Sequence, residues 1–111
     1  MNSSTVPRQV GQALQELKLA LDDIYGNRLQ GVYLYGSYAR HEATGHSDID
    51  VMIVLDGPVK TGLEISRINP LVSSICLQND LLISTFPVSA DSFQNDQSPF
   101  LLNVRKEAVP L

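Results

Sequence analysis

Apolar residues recur at helical spacing from Val10 to Ile24. Val10, Ala13, Leu14, Leu17, Ala20, Leu21 and Ile24 share one stripe, and Gln12, Gln15, Glu16, Lys18, Asp22 and Asp23 fill the other face. That period predicts an amphipathic helix, which Gly26-Asn27 is placed to stop. Gly31 to Tyr35 (GVYLY) is short and rich in β-formers and predicts a strand. Gly36-Ser37 ends it, and Ser37 is placed to cap a short helix through Tyr38, Ala39, Arg40 and Glu42. Thr44-Gly45-His46-Ser47 reads as a turn, Asp48 to Leu55 as a second strand, and Asp56-Gly57-Pro58 as its break. Leu63 to Gln78 carries Ile65, Ile68, Leu71, Val72, Ile75 and Cys76 at helical spacing, with Pro70 inside the pattern and expected to kink or split it. Asn79 to Phe86 predicts a third strand. Pro87 to Gln97 is a polar connection with room for a helical turn. Ser98-Pro99 reads as an N-cap and first-turn proline ahead of a helix carrying Phe100, Leu101 and Val104. The alternation predicts a small α/β (α+β) domain, a mixed sheet flanked by helices.

Length and composition narrow the picture. The chain has 111 residues, which suggests one domain over residues 9–111 behind a flexible lead-in, residues 1–8. A domain of this size buries roughly two-thirds of its unfolded surface, and 43% apolar residues suffice for one core. The formal net charge of −4 argues against a general nucleic-acid binder, which would carry a basic face. A single cysteine, Cys76, excludes an internal disulfide and points to a reducing compartment. No apolar run is long enough to span a membrane, and the polar stretch from Met1 to Arg8 lacks the apolar core of a signal peptide. A cytoplasmic protein is expected.

The chemistry is concentrated between Gly36 and Asp50. A Gly-Ser pair is followed, after ten residues, by Asp48-Ile49-Asp50, which runs into the apolar strand Val51-Met52-Ile53-Val54-Leu55. Glycine lets the backbone approach phosphate closely, and successive N–H groups with a Ser hydroxyl can hold phosphate oxygens. Carboxylates two apart on a strand share a face. At about 5 Å they repel by roughly 3 kcal/mol at an effective dielectric near 20, about two pKa units. A divalent cation converts that penalty into binding. Asp80, beginning the predicted third strand, is the candidate third carboxylate and a candidate general base. Three such groups on adjacent strands could hold two magnesium ions. Arg40, one turn after Ser37, is placed either to neutralise phosphate or to orient a carboxylate. His41 and His46 show no zinc-ligand spacing, and Cys76 falls on an apolar stripe. Tyr33, Tyr35 and Tyr38 read as packing residues, one of which could line a base pocket.

Gly36-Ser37, ten residues, then Asp48-Ile49-Asp50 resembles the signature of the DNA polymerase β-like nucleotidyltransferase superfamily. GSYAR…SDIDVMIV is similar to the minimal nucleotidyltransferase group, the MntA-like antitoxins, as are Asn79-Asp80-Leu81-Leu82 and the segment from Ser98 to Glu107. The resemblance spans roughly Gln9 to Leu111. It implies a mixed sheet with flanking helices and magnesium-dependent transfer of AMP from ATP to a tyrosine of a HEPN-domain ribonuclease toxin. Carried over by position, it assigns triphosphate binding to Gly36 and Ser37 and metal binding to Asp48, Asp50 and Asp80. Two positions depart from the pattern: His41 stands where Gly is common, and Asn79 where an apolar residue is common. Two other functions fit the residues: a non-catalytic module that silences a partner by masking it, and nucleotidyl transfer to a small molecule or to RNA.

Overall fold

The computed structural model describes residues 7–44 and 48–111. The expected flexible lead-in therefore falls largely outside the described residues, and so do Gly45, His46 and Ser47 of the expected turn. The first helix, α1 (Arg8–Tyr25), already begins inside that lead-in, and a single 3-10 turn (Gly26–Arg28) follows it. β1 (Leu29–Tyr35) and β2 (Ile49–Leu55) are antiparallel. α2 (Thr61–Asn79) then crosses to β3 (Ile83–Ser89), which lies parallel to β2. α3 (Ala90–Asn95), α4 (Pro99–Glu107) and a two-residue β4 (Val109–Pro110) complete the chain. The sheet order is β3-β2-β1-β4, a mixed sheet with helices on both faces.

β2 lies between two neighbours and is buried on both faces, which is why its sequence is an unbroken apolar run and not an alternation. Ile49, Val51, Ile53 and Leu55 pack with Leu14, Leu17 and Leu21 of α1 and Ile68, Val72 and Ile75 of α2. Met52 and Val54 point the other way, into a smaller cluster with Val88, Leu101 and Val104 that also takes in Tyr33, Tyr35, Phe86 and Phe93. Each fully buried Leu or Ile contributes about 1.5–3 kcal/mol relative to its exposed state.

The structure departs from the sequence expectations in physically traceable ways. α2 is not split at Pro70 but runs through it. Pro70 lies on the exposed face, where water can serve the carbonyl that loses its N–H partner, and Ile68, Val72 and Ile75 hold the helix down on either side. In α1 the stripe ends on Tyr25 and not on Ile24, which is 41% exposed. Tyr25 turns inward because its hydroxyl donates to Glu64 Oε1 at 2.8 Å. Glu64 is a buried carboxylate on α2, 3% exposed, with Arg28 and Arg67 at 3.5 and 3.6 Å. Burial and then Glu64 push the Tyr25 hydroxyl up to about 12. A buried charge with this many partners joins the end of α1 to the start of α2. Cys76 packs against the core, and its Sγ accepts the Ile83 N–H at 3.3 Å, in keeping with a packing role. β4 has no counterpart in the sequence expectations. It is two residues of edge strand paired to Tyr33 and Leu34, a place where proline is tolerated.

Candidate active site

β1 ends at the edge of the sheet where β2 begins, and the antiparallel register sets Tyr35 opposite Asp50. Gly36, the next residue, therefore lands against the Asp50 carboxylate. A Cβ at Gly36 would stand 2.3 Å from Asp50 Oδ2, and the backbone there has φ +75°. Both facts require glycine. Asp50 shares its face of β2 with Met52 and Val54, the face covered by α4. Tyr35, Gly36, Ser37, Arg40, Asp50, Phe100, Asn103, Val104 and Glu107 line one cleft of about 440 Å³ there. A second cleft, of about 490 Å³, runs along α1 to Leu111, remote from the carboxylates.

The segment after Gly36 is a tight turn and not the predicted short helix. Arg40 N–H bonds to Gly36 O at 3.1 Å and Glu42 N–H to Ser37 O at 2.9 Å. His41 has φ 60°, so the left-handed geometry that favours glycine is kept with a histidine in it. His41→Gly should relieve about 1 kcal/mol of backbone strain, partly offset by the extra freedom of the unfolded chain. Thermal denaturation should show a midpoint equal to wild type or higher by up to about 4 °C. A lower midpoint would mean that the His41 side chain contributes more than its backbone costs.

The Asp50 carboxyl is held above the ordinary carboxylate range, first by burial and then by the Asp48 charge; Arg40 pulls it back and Glu107 raises it. Asp48 lies one residue before β2 and is exposed, so only the second Asp of the pair belongs to the strand. Tyr35 responds to the same field: burial, then Asp50 and Glu107, push its hydroxyl up to about 12.

Asp80 does not begin β3. α2 continues to Asn79, and Asp80 closes it in the left-handed conformation, φ 53°, with its own N–H on Cys76 O. Asp tolerates that conformation better than most residues, and here it serves as the helix stop. β3 opens three residues later, and the residue beside Asp50 in the parallel register is Ser84. Among the described residues no three His, Cys, Asp or Glu side chains stand together as a metal cage. Asp80 is thus not brought to Asp48 and Asp50 in this structure.

Glu107 carries no motif and was missed by sequence reasoning. Its Oε2 takes Arg40 Nη1 at 2.9 Å, and its Oε1 accepts the Gly36 N–H at 3.4 Å. Arg40 also bonds Glu42 Oε2 at 3.0 Å and lines the cleft beside Gly36, so in this structure its guanidinium is held by two carboxylates. The available signal was periodicity: Phe100, Asn103 and Glu107 fall at i, i+3 and i+7, one face of a helix.

The family profile described as Nucleotidyltransferase domain matches residues 14–95. The chain belongs to the nucleotidyltransferase domain family. Two Methanocaldococcus jannaschii proteins that carry the name "Putative protein adenylyltransferase" are similar to it. MJ0604 is 30% identical over 82 residues, 74% of this chain and 76% of that protein. MJ0141 is 33% identical over 76 residues, 68% of this chain and 76% of that protein. Among solved structures, a toxin–antitoxin crystallised with AMP-PNP superposes with TM-score 0.58 at 18% identity, over 84% of this chain and 68% of the other. A variant of the MntA-HpeT toxin–antitoxin gives TM-score 0.56 at 16% identity, over 85% and 68%. At these identities the structural likeness establishes the fold. Together with the family match it makes this chain a nucleotidyltransferase enzyme built on a four-stranded mixed sheet. No helix among the described residues is long and apolar enough to cross a membrane.

Proposed function

We propose that this nucleotidyltransferase moves AMP from ATP to a protein hydroxyl, a tyrosine of a HEPN-domain toxin in the cytoplasm, and thereby acts as an antitoxin. The observation that carries the donor half is the contact of Gly36 with Asp50, with Ser37 and Arg40 in the same cleft. It puts a backbone N–H, a hydroxyl and a guanidinium in one cleft with a strand-borne carboxylate. In this reading Gly36 and Ser37 bind the β- and γ-phosphates and Arg40 offsets their charge. The acceptor half is supported by the names of the relatives and the toxin–antitoxin neighbours.

The donor set suits magnesium. Asp48 and Asp50 are hard oxygen donors, Asp50 raised first by burial and then by the Asp48 charge, and magnesium is commonly held by one or two carboxylates together with substrate phosphates. When bound, the ion screens phosphate charge and polarises the α-phosphate. A second ion ligated by Asp80 would require its carboxylate to approach Asp48 and Asp50, with which it forms no three-ligand group among the described residues. Reaction proceeds by in-line attack of the acceptor oxygen on the α-phosphorus. The new P–O bond forms as the bond to pyrophosphate breaks, and the hydroxyl proton passes to solvent. What the chain contributes is position and electrostatics.

Incubation with ATP labelled on the α-phosphate, magnesium and the toxin encoded beside this chain should label the toxin. Absence of label with a folded protein, alongside full neutralisation of the toxin by Asp48→Asn/Asp50→Asn, would replace catalysis with masking. Label appearing on RNA or on a small molecule would move the acceptor.

Glu107 adds a prediction. Its carboxylate takes the hydrogen bonds of Arg40 and Gly36 that a phosphate would use. Glu107→Gln keeps the shape and removes the competing charge. Calorimetry with magnesium and inorganic triphosphate should show binding tighter by about three- to tenfold. Unchanged or weaker binding in a folded variant would mean that Glu107 supports the phosphate seat and does not occupy it.

A further inference from the structure

The cleft has two kinds of lining. Gly36, Ser37 and Arg40 offer donors to an anion, and α4 adds Phe100 and Asn103. We propose that Phe100 and Asn103 form the nucleobase seat of the site and select adenine. The proposal rests on the nucleotidyl-transfer reading and adds to it the residues that read the base.

Phe100 is a large apolar side chain left 43% exposed, and its ring is fixed in place. Tyr35 meets it edge-on with centroids 5.9 Å apart, and Phe86 lies tilted against it at 5.3 Å. A ring braced on two sides with its remaining surface open to a cleft is a stacking platform that needs little ordering when a base arrives. Asn103 is exposed one helical turn further on, and its amide makes no hydrogen bond within the described residues. The helix carrying both is pinned from outside the cleft. Ser98 Oγ accepts the Leu101 N–H at 3.3 Å, and Arg105 donates to Phe93 O at 2.7 Å and Asp96 O at 2.6 Å. Leu101 and Val104 are buried beneath it.

The dimensions agree. From Phe100 to Glu107, which contacts Arg40 and Gly36, α4 rises about 10 Å at 1.5 Å per residue. That is on the order of the reach from base to terminal phosphates in a nucleoside triphosphate. A cleft of about 440 Å³ lies within the range of small-ligand sites. A side-chain amide offers one donor group and one acceptor, which match adenine N7 and N6–H together. The corresponding guanine edge presents two acceptors. On that edge the amide favours an adenine nucleotide over a guanine one.

The test is equilibrium binding of ATP, GTP and inorganic triphosphate, each with magnesium, to the intact chain and to Phe100→Leu and Asn103→Ala. Leucine keeps apolar bulk beside Phe86 and Tyr35, so the fold survives loss of the ring, and the thermal midpoint reports this. Wild type should prefer ATP to GTP by about tenfold. Phe100→Leu should weaken ATP and GTP alike by about fivefold or more and leave inorganic triphosphate unchanged. Asn103→Ala should erase the ATP preference. If ATP binds no more tightly than inorganic triphosphate, or either variant leaves ATP binding and the ATP-to-GTP ratio as in wild type, the base lies elsewhere while nucleotidyl transfer stands. Failure of both ATP and inorganic triphosphate to bind would overturn the seat and the transfer reading together.

Discussion

Asp50→Asn is expected to lower nucleotidyl transfer at least about a hundredfold while raising the thermal midpoint by about 2 °C at pH 7. The two effects have one cause. Asp50 sits partly buried on the α4 face of β2, against Gly36 and within the field of Asp48 and Glu107. Its carboxyl is held above the ordinary range, so the charged form costs folding energy. A carboxyl whose folded pKa is raised leaves the folded state binding more protons than the unfolded one between the two pKa values. Stability therefore falls as pH rises through that window and stays lower above it. Asparagine removes the charge and the penalty, which solvent screening keeps small for a partly exposed group. Below the unfolded pKa, near pH 3, wild type is itself protonated and the midpoints should converge. Asp80→Asn is the control: at the exposed end of α2, it should leave the transfer rate within about threefold. Equal losses for Asp50→Asn and Asp80→Asn would show that the helix cap rearranges to bring Asp80 into the site.

Gly36→Ala should lower stability by about 2 kcal/mol and transfer by at least tenfold. Alanine at φ +75° is strained by about 1–2 kcal/mol, and its Cβ would lie 2.3 Å from Asp50 Oδ2. Asp50 must swing aside to admit it, and that movement carries the carboxylate away from the phosphate seat. Gly57 separates the two costs. It has φ +80° and nothing within 4 Å of a Cβ, so Gly57→Ala should show the backbone strain alone and leave transfer intact. Denaturation midpoints and transfer rates of both variants decide the matter. Gly36→Ala matching Gly57→Ala in both would remove the steric argument for glycine at the site.

The donor side of the site was legible because its requirements are local. Gly36-Ser37 must follow a strand and Asp50 must open the next one, and the two segments are joined by a single connection. Antiparallel pairing then brings Gly36 to Asp50. Asp80 was misplaced because a short apolar run after Asn-Asp reads as a strand start, whereas the helix before it runs one residue further, to Asn79, and uses Asp80 to stop. Pro70 misled in the opposite sense: its local penalty was real, and burial of its neighbours outweighed it. Glu64 and Glu107 look like ordinary charged positions on helices. Only packing turns one into a buried hub for Tyr25, Arg28 and Arg67 and the other into the anion facing Arg40.

What the sequence by itself determined is therefore the order of the long helices and the three main strands, most of the core, and the proximity of a glycine-serine turn to a strand-borne carboxylate. These follow from periodicities and spacings a few residues long, where backbone geometry leaves few alternatives. The tertiary structure decided which residues meet across the molecule. It set Ser84, not Asp80, beside Asp50, and brought α4 over the opposite wall of the cleft with Phe100, Asn103 and Glu107 turned inward. The approach of α4 depends on Leu101 and Val104 burying themselves against β2, an energy spread over contacts between segments about fifty residues apart. No local pattern reports an energy of that kind.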